Sequence, residues 1–292
     1  MIAALLLGVE IGTRILVRRL SRIEGRIGRE YAAALRPPQS MQPVVWFLGN
    51  SLLDAAVDFP ALSERVQGRM EARRFVVEQT FFHDWHYGIR KLFGTGTKPR
   101  CIVLMINGKQ LVSNTSRGDY AAQILVAPGD IMGFVRDLKV HPTTAANLIF
   151  ANFSMFYGLR SEIRKFVMLR LLPDLPTLTS RLVATAPPDV PDARFPLLAQ
   201  QRIRILQTEC ARQGVRLIFA IPPSQDFETD QLLRRAVEEA KVEALMPFAA
   251  GDFEAAHFSD GFHLNRDGAR RYTDLLGEAL LKSAPWRVSV PD

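Results

Sequence analysis

The chain has 292 residues, 48% of them hydrophobic, with a formal net charge of +7: enough for a full core, and slightly long for a single α/β domain. The charge includes Arg14, Arg18, Arg19, Arg22, Arg26 and Arg29, clustered early; with no aromatic-interleaved basic stripe or nucleic-acid motif beside them, they read as a membrane-flanking region, not a nucleic-acid site. The two cysteines, Cys101 in an apolar strand pattern and Cys210 in a helical one, suggest buried free thiols and exclude a disulfide framework.

Met1 to Val17 is mostly apolar and runs into Arg18-Arg19-Leu20-Ser21-Arg22. The run is shorter than the ~20 residues that span a bilayer, and Glu10 and Arg14 interrupt it. The bland reading is a helix that packs on the domain or lies on a membrane; the favoured one is an uncleaved anchor within a segment 1–35. With no basic leader and no signal-peptidase site close behind, a cleaved signal peptide is not expected.

Val44-Val45-Trp46-Phe47-Leu48 reads as a buried strand, so Gly49-Asn50-Ser51 places Ser51 where strand turns into helix. By itself such a step is a tight turn and a helix cap. Phe75-Val76-Val77 predicts a second strand, Trp85 to Phe93 a helix, and Cys101 to Ile106 a third strand. A long helix from Leu197 to Arg212 stops at Gly214, and a strand from Val215 to Ile221 is halted by Pro222-Pro223. A helix from Thr229 to Leu245 and a short strand at Pro247 to Ala249 follow. Strands alternating with helices predict a mostly parallel sheet covered on both faces, in a domain spanning 41–292.

An insertion, 113–191, breaks that pattern and is too long for an ordinary βα loop. Ala145 to Tyr157 and Arg160 to Leu172 have helical periodicity, and Phe150, Phe153, Phe156 and Tyr157 suit a packed helical subdomain. A lid, an acceptor-binding surface, or a face against a membrane or partner is the other reading. Pro173, Pro176, Pro187, Pro188 and Pro191 mark the return to the core domain.

Asp260-Gly261-Phe262-His263-Leu264 sets a carboxylate and an imidazole three residues apart, ahead of a helical pattern beginning near Asn265. Alone it is a solvated loop or a cap. Together with Ser51 it supplies a nucleophile, a base and an orienter. The first strand of an α/β sheet and the loop before its last helix can meet at the sheet's carboxyl edge, where ligands bind in such folds.

These two stretches resemble the SGNH, or GDSL-type, hydrolase superfamily, in its bacterial envelope-associated, N-terminally anchored form. A Gly-Asp-Ser or Gly-Asn-Ser follows that family's first strand, and an Asp-x-x-His precedes its last helix. The resemblance frames residues 43–283, with its specific content at the two ends. It implies a three-layer α/β/α, flavodoxin-like fold, with Ser51 as nucleophile, His263 as general base and Asp260 as the group that fixes the imidazole tautomer. It also implies an oxyanion hole made by the Ser51 N–H, a glycine N–H after the second strand and an asparagine side chain after the third. Here Glu78-Gln79-Thr80-Phe81-Phe82-His83 has no glycine, so a non-glycine amide such as that of Phe82 must serve. Ile106-Asn107-Gly108-Lys109 stands out of register with the family's Gly-x-Asn-Asp; Asn107 is the first candidate and Asn114 the second, with turn formation by Asn107-Gly108 equally open.

His83 and His86 flank Asp84-Trp85 at the start of a helix and could line the pocket. Their spacing suits a metal, yet no further ligands stand at a recognisable spacing, so neither metal nor cofactor is expected. His141 and His257 read as surface or loop residues. Two function classes follow from the resemblance: an esterase or O-acyltransferase on carbohydrate or lipid esters of the envelope, or a non-catalytic component of an envelope polysaccharide assembly. In either case the chain is expected on the extracytoplasmic face of a membrane, with an acyl ester or glycan as its partner.

Overall fold

A computed structural model describes residues 1–171 and 194–283, without the side chains of residues 2, 3, 18–20, 22 and 169. The prolines expected to mark the return to the core, Pro173 to Pro191, lie outside the described residues. Along the chain come α1 (Ile2–Leu20), α2 (Arg22–Ala34), β1 (Val44–Gly49), α3 (Ser51–Ala56), α4 (Phe59–Val66), β2 (Glu71–Val76), α5 (Phe82–Phe93) and β3 (Cys101–Met105). Then follow α6 (Gly108–Val112), α7 (Asp119–Ile124), α8 (Ile131–Leu138), α9 (Pro142–Phe153), α10 (Met155–Gly158) and α11 (Arg160–Leu171). The last elements are α12 (Phe195–Arg212), β4 (Arg216–Ala220), α13 (Phe227–Glu239), β5 (Glu243–Leu245) and α14 (Arg266–Lys282).

The chain divides into two compact units: a sheet unit of residues 30–82, 92–113 and 190–292, and a helical unit of residues 1–29, 83–91 and 114–189. In the sheet unit five parallel strands run in the order β2-β1-β3-β4-β5. Every residue of β1 and β3 is buried, as central strands covered on both faces must be. Alternate side chains serve the two faces. Val45, Phe47, Val103 and Ile218 pack with Leu53, Leu62, Val66, Tyr272 and Leu276 from α3, α4 and α14. On the other side Trp46 stacks on Phe93 at 6.2 Å and donates its indole N–H to the Ala34 carbonyl at 3.1 Å. The result is the α/β sandwich expected from the alternating pattern.

Two strands sit elsewhere than the apolar pattern predicts. β2 begins at Glu71, ahead of the apolar Phe75-Val76-Val77, because the buried Arg73 is satisfied by the carbonyls of Ala34, Arg36 and Pro37 and by Glu71; paired charge hides an edge strand from a hydrophobic reading. α13 ends at Glu239, not Leu245, since Lys241 turns left-handed at φ 59°. That break frees Glu243–Leu245 to pair with Ile218–Ala220, so the last strand is there and not at Pro247 to Ala249.

In the helical unit Tyr87, Val126, Phe134, Leu138, Leu148 and Ala151 form a separate core. Lys91 donates to the carbonyls of Gln123, Ile124 and Val126, closing the C-terminal end of α7, and burial lowers its pKa to about 8. The helix expected over 145–157 is broken: Ser154 is extended at φ −112°, ending α9, and its hydroxyl caps α10 by accepting from Tyr157 N–H at 3.2 Å. Among the described residues no helix is long and apolar enough to cross a membrane.

Candidate active site

β1 ends at a glycine because nothing larger fits: a Cβ on Gly49 would lie 2.6 Å from the Met105 carbonyl oxygen and 2.9 Å from the Leu53 Cβ. Asn50 follows, fully buried and extended. Its Oδ1 accepts from Leu52 N–H at 3.0 Å, starting α3, and its Nδ2 donates to the Thr80 carbonyl at 2.9 Å. Ser51 is thereby the first helical residue after β1. It stands at the switch between β1 and β3, where a sheet of this order opens a crevice at its carboxyl edge.

The second stretch is a loop tied to itself. Asp260 Oδ1 accepts from the N–H groups of Phe262 (3.0 Å) and His263 (2.8 Å), and Gly261 takes φ 76°, a left-handed value that favours glycine. The turn directs the ring back onto its own carboxylate, with His263 Nδ1 2.8 Å from Asp260 Oδ2. The far nitrogen, Nε2, lies 2.9 Å from Ser51 Oγ. An ionised Asp260 can only accept, so Nδ1 carries the proton and Nε2 presents its lone pair to the serine hydroxyl. Burial pushes the Asp260 carboxyl up, but hydrogen bonds from the His263 ring and from the N–H groups of His263 and Phe262 outweigh it and hold the group below the usual carboxylate range. The Asp260 side chain is 56% exposed and that of His263 28%, so the pair opens to solvent.

The turn after β2 lies against the serine step. Val77 N–H donates to the Gly49 carbonyl at 3.0 Å, Thr80 Oγ1 donates to the Val77 carbonyl at 2.7 Å, and Asn50 holds the Thr80 carbonyl. Within it Gln79 adopts φ 56°, a left-handed value uncommon outside glycine. Phe82 opens α5, and its buried ring lies beneath the Arg202 guanidinium at 4.7 Å. Asn107 is a helix cap and not a hairpin turn. Its Oδ1 accepts from Gln110 N–H at 2.8 Å, while Gln110 Oε1 accepts from its backbone N–H at 3.1 Å. That leaves its Nδ2 hydrogens as the side-chain donors it can offer beyond β3.

Asn114, His83 and His86 fall in the helical unit, where His86 packs against Tyr87 at 4.8 Å. His141 caps α9 by accepting from Thr143 N–H at 3.3 Å, and His257 Nδ1 accepts from Glu254 N–H at 3.1 Å. Among the described residues no three His, Cys, Asp or Glu side chains group as a metal site.

Three contributions escape a motif reading. The buried Arg202 donates to the carbonyls of Leu111 (2.7 Å) and Ser113 (2.6 Å), closing the end of α6 behind Asn107, and burial lowers its pKa to about 10. The buried Asp230 accepts from Ser224 N–H (3.0 Å) and Ser224 Oγ (2.9 Å), fixing the loop after β4; burial raises its pKa to about 7. That loop brings the Gln225 amide to 3.8 Å from where a Cβ on Gly261 would stand. Only contact across the fold reveals these roles, since none has a local sequence signal.

No protein-family model matches the chain. No curated protein matches it either. Among solved structures it is similar to "Crystal Structure of TesA", at 11% identity over 84% of this chain and 99% of that one, with a TM-score of 0.42; a likeness so distant assigns no residue a role.

Proposed function

We propose that the chain is a serine-dependent ester hydrolase or O-acyltransferase that works through an acyl-Ser51 intermediate. The observation that carries the reading is the His263 ring set between Ser51 Oγ and Asp260. On this reading His263 Nε2 takes the hydroxyl proton as Ser51 Oγ bonds to an ester carbonyl carbon, and Asp260 stabilises the imidazolium that forms. The tetrahedral intermediate collapses as His263 returns the proton to the leaving alkoxide. Water or a second hydroxyl then attacks the acyl-serine, again losing its proton to His263, which returns it to Ser51 Oγ as the bond from that oxygen to the acyl carbon breaks.

Negative charge collects on the former carbonyl oxygen and needs fixed donors. The Ser51 N–H and the Asn107 Nδ2 are assigned this role, with an N–H from the turn containing Gln79 and Thr80 in place of the glycine amide. The alternative, a non-catalytic module, rests on the missing glycine. Carbohydrate or lipid esters of a bacterial envelope are the proposed substrates, and the extracytoplasmic face of a membrane the proposed location; protease access in spheroplasts tests the latter. Turnover of p-nitrophenyl acetate tests the chemistry. Ser51→Ala and His263→Ala should each abolish it without loss of fold, and unchanged turnover in either variant contradicts the assignment.

A further inference from the structure

Helix α1 turns Glu10 and Val17 against its own unit and leaves an apolar stripe exposed, whereas a helix folded onto a water-soluble core turns its apolar stripe inward. Glu10, Thr13 and Val17 share the inner face. The Glu10 carboxylate accepts from Ser154 Oγ at 2.8 Å and from the N–H groups of Met155 and Phe156 at 3.0 and 3.1 Å, so it caps α10 from a different helix. Thr13 Oγ1 donates to the Val9 carbonyl, and Val17 is buried. On the outer stripe Leu7, Ile11 and Ile15, four residues apart, are 60%, 49% and 56% exposed. Phe153 and Phe156, on either side of the step that Glu10 holds, are exposed as well. Between α1 and α11 opens a pocket of about 250 Å³ lined by Leu16, Val17, Ile163 and Phe166 among others.

Such a face can be covered by a second copy or by lipid, and charge decides between them. Residues 1–29 carry six arginines and two carboxylates in sequence; Glu10, which also pairs with Arg14 at 2.7 Å, turns to α10 and Glu24 to the Tyr120 hydroxyl, while Arg29 is exposed. Exposed Arg164, Lys165 and Arg170 on α11 add to the cationic surface. Two copies joined through this face would set these cations against each other, whereas anionic headgroups neutralise them while acyl chains cover the leucine and isoleucine stripe. We propose that α1, together with Phe153 and Phe156, docks in the plane of an anionic lipid surface without spanning it. The attachment is independent of the chemistry assigned to Ser51.

Flotation of the full chain with vesicles tests this. Vesicles of equimolar phosphatidylcholine and phosphatidylglycerol should carry the protein upward, vesicles of phosphatidylcholine alone should carry far less, and added salt should weaken the binding. Ile11→Asp combined with Ile15→Asp should lower the bound fraction more than about tenfold, given the transfer cost of two large aliphatic side chains. Both side chains are exposed, so the melting curve should not move; the milder Ile11→Gln with Ile15→Gln serves if it does. No flotation, equal flotation with both vesicle types, or binding indifferent to both double variants overturns the proposal. So does a dimer in sedimentation that the same substitutions dissolve.

Discussion

Asp260 is the residue on which the proposed chemistry turns. Its carboxylate accepts from the ring and the backbone of His263 and from Phe262 N–H, so Asp260→Asn should reverse the tautomer and lower turnover roughly 10⁴-fold while the fold persists. The losses from Asp260→Asn and His263→Ala should not add, because the residues act as one unit; additive losses in steady-state kinetics contradict that. The folded group titrates below its ordinary value, so its stabilising contribution is present above the unfolded carboxylate range and is lost as pH falls through the lower folded value. Asp230 has the opposite sign. With its carboxyl raised to about 7 by burial, the folded state favours the neutral form, and stability declines as pH rises from the unfolded value toward 7. Asp230→Asn should therefore gain on the native chain between about pH 4 and about pH 7 in thermal melts; a pH-independent difference contradicts the assignment.

At the scale of elements, the serine step is built from capping geometry. Asn50→Ala removes the cap of α3 and leaves the Thr80 carbonyl without its amide donor, so it should cost about 1–2 kcal/mol in chemical denaturation. It should also depress turnover, because the turn containing Gln79 loses its tie to Ser51. Arg202→Met should destabilise by about 2–3 kcal/mol through the unpaired carbonyls of Leu111 and Ser113; a change under about 0.5 kcal/mol by denaturant melt would contradict their pairing. What could be read from sequence divides along the same line. β1 and β3 were legible because they are continuous apolar runs, and α12 because Gly214 closes it. β2 was legible only in its apolar half, since Arg73 is buried through partners far away in sequence. β5 was displaced because the left-handed Lys241 carries no glycine to announce the break. Gln79 shows the same effect, a left-handed backbone in a bonded turn with no glycine to mark it in sequence.

For the whole molecule, the open chemical choice is whether water or a hydroxyl acceptor resolves the acyl-serine. A transferase should hold acyl-Ser51 in water and discharge it quickly when an oligosaccharide acceptor is added, while an esterase should discharge at one rate in both conditions; quenched-flow mass spectrometry separates them. The two motif ends were legible because the chemistry is local in each. Their meeting was an inference from sheet topology, and the helical unit's outward apolar stripe on α1 was not legible, since periodicity alone does not say which face a helix buries. The most direct measurement of the central claim is covalent labelling of the full chain with a fluorophosphonate probe, followed by tryptic mass spectrometry. The account predicts a single adduct on Ser51 that is lost in Ser51→Ala and strongly slowed in His263→Ala; labelling that persists undiminished in Ser51→Ala, or no adduct on the folded native chain, would contradict it.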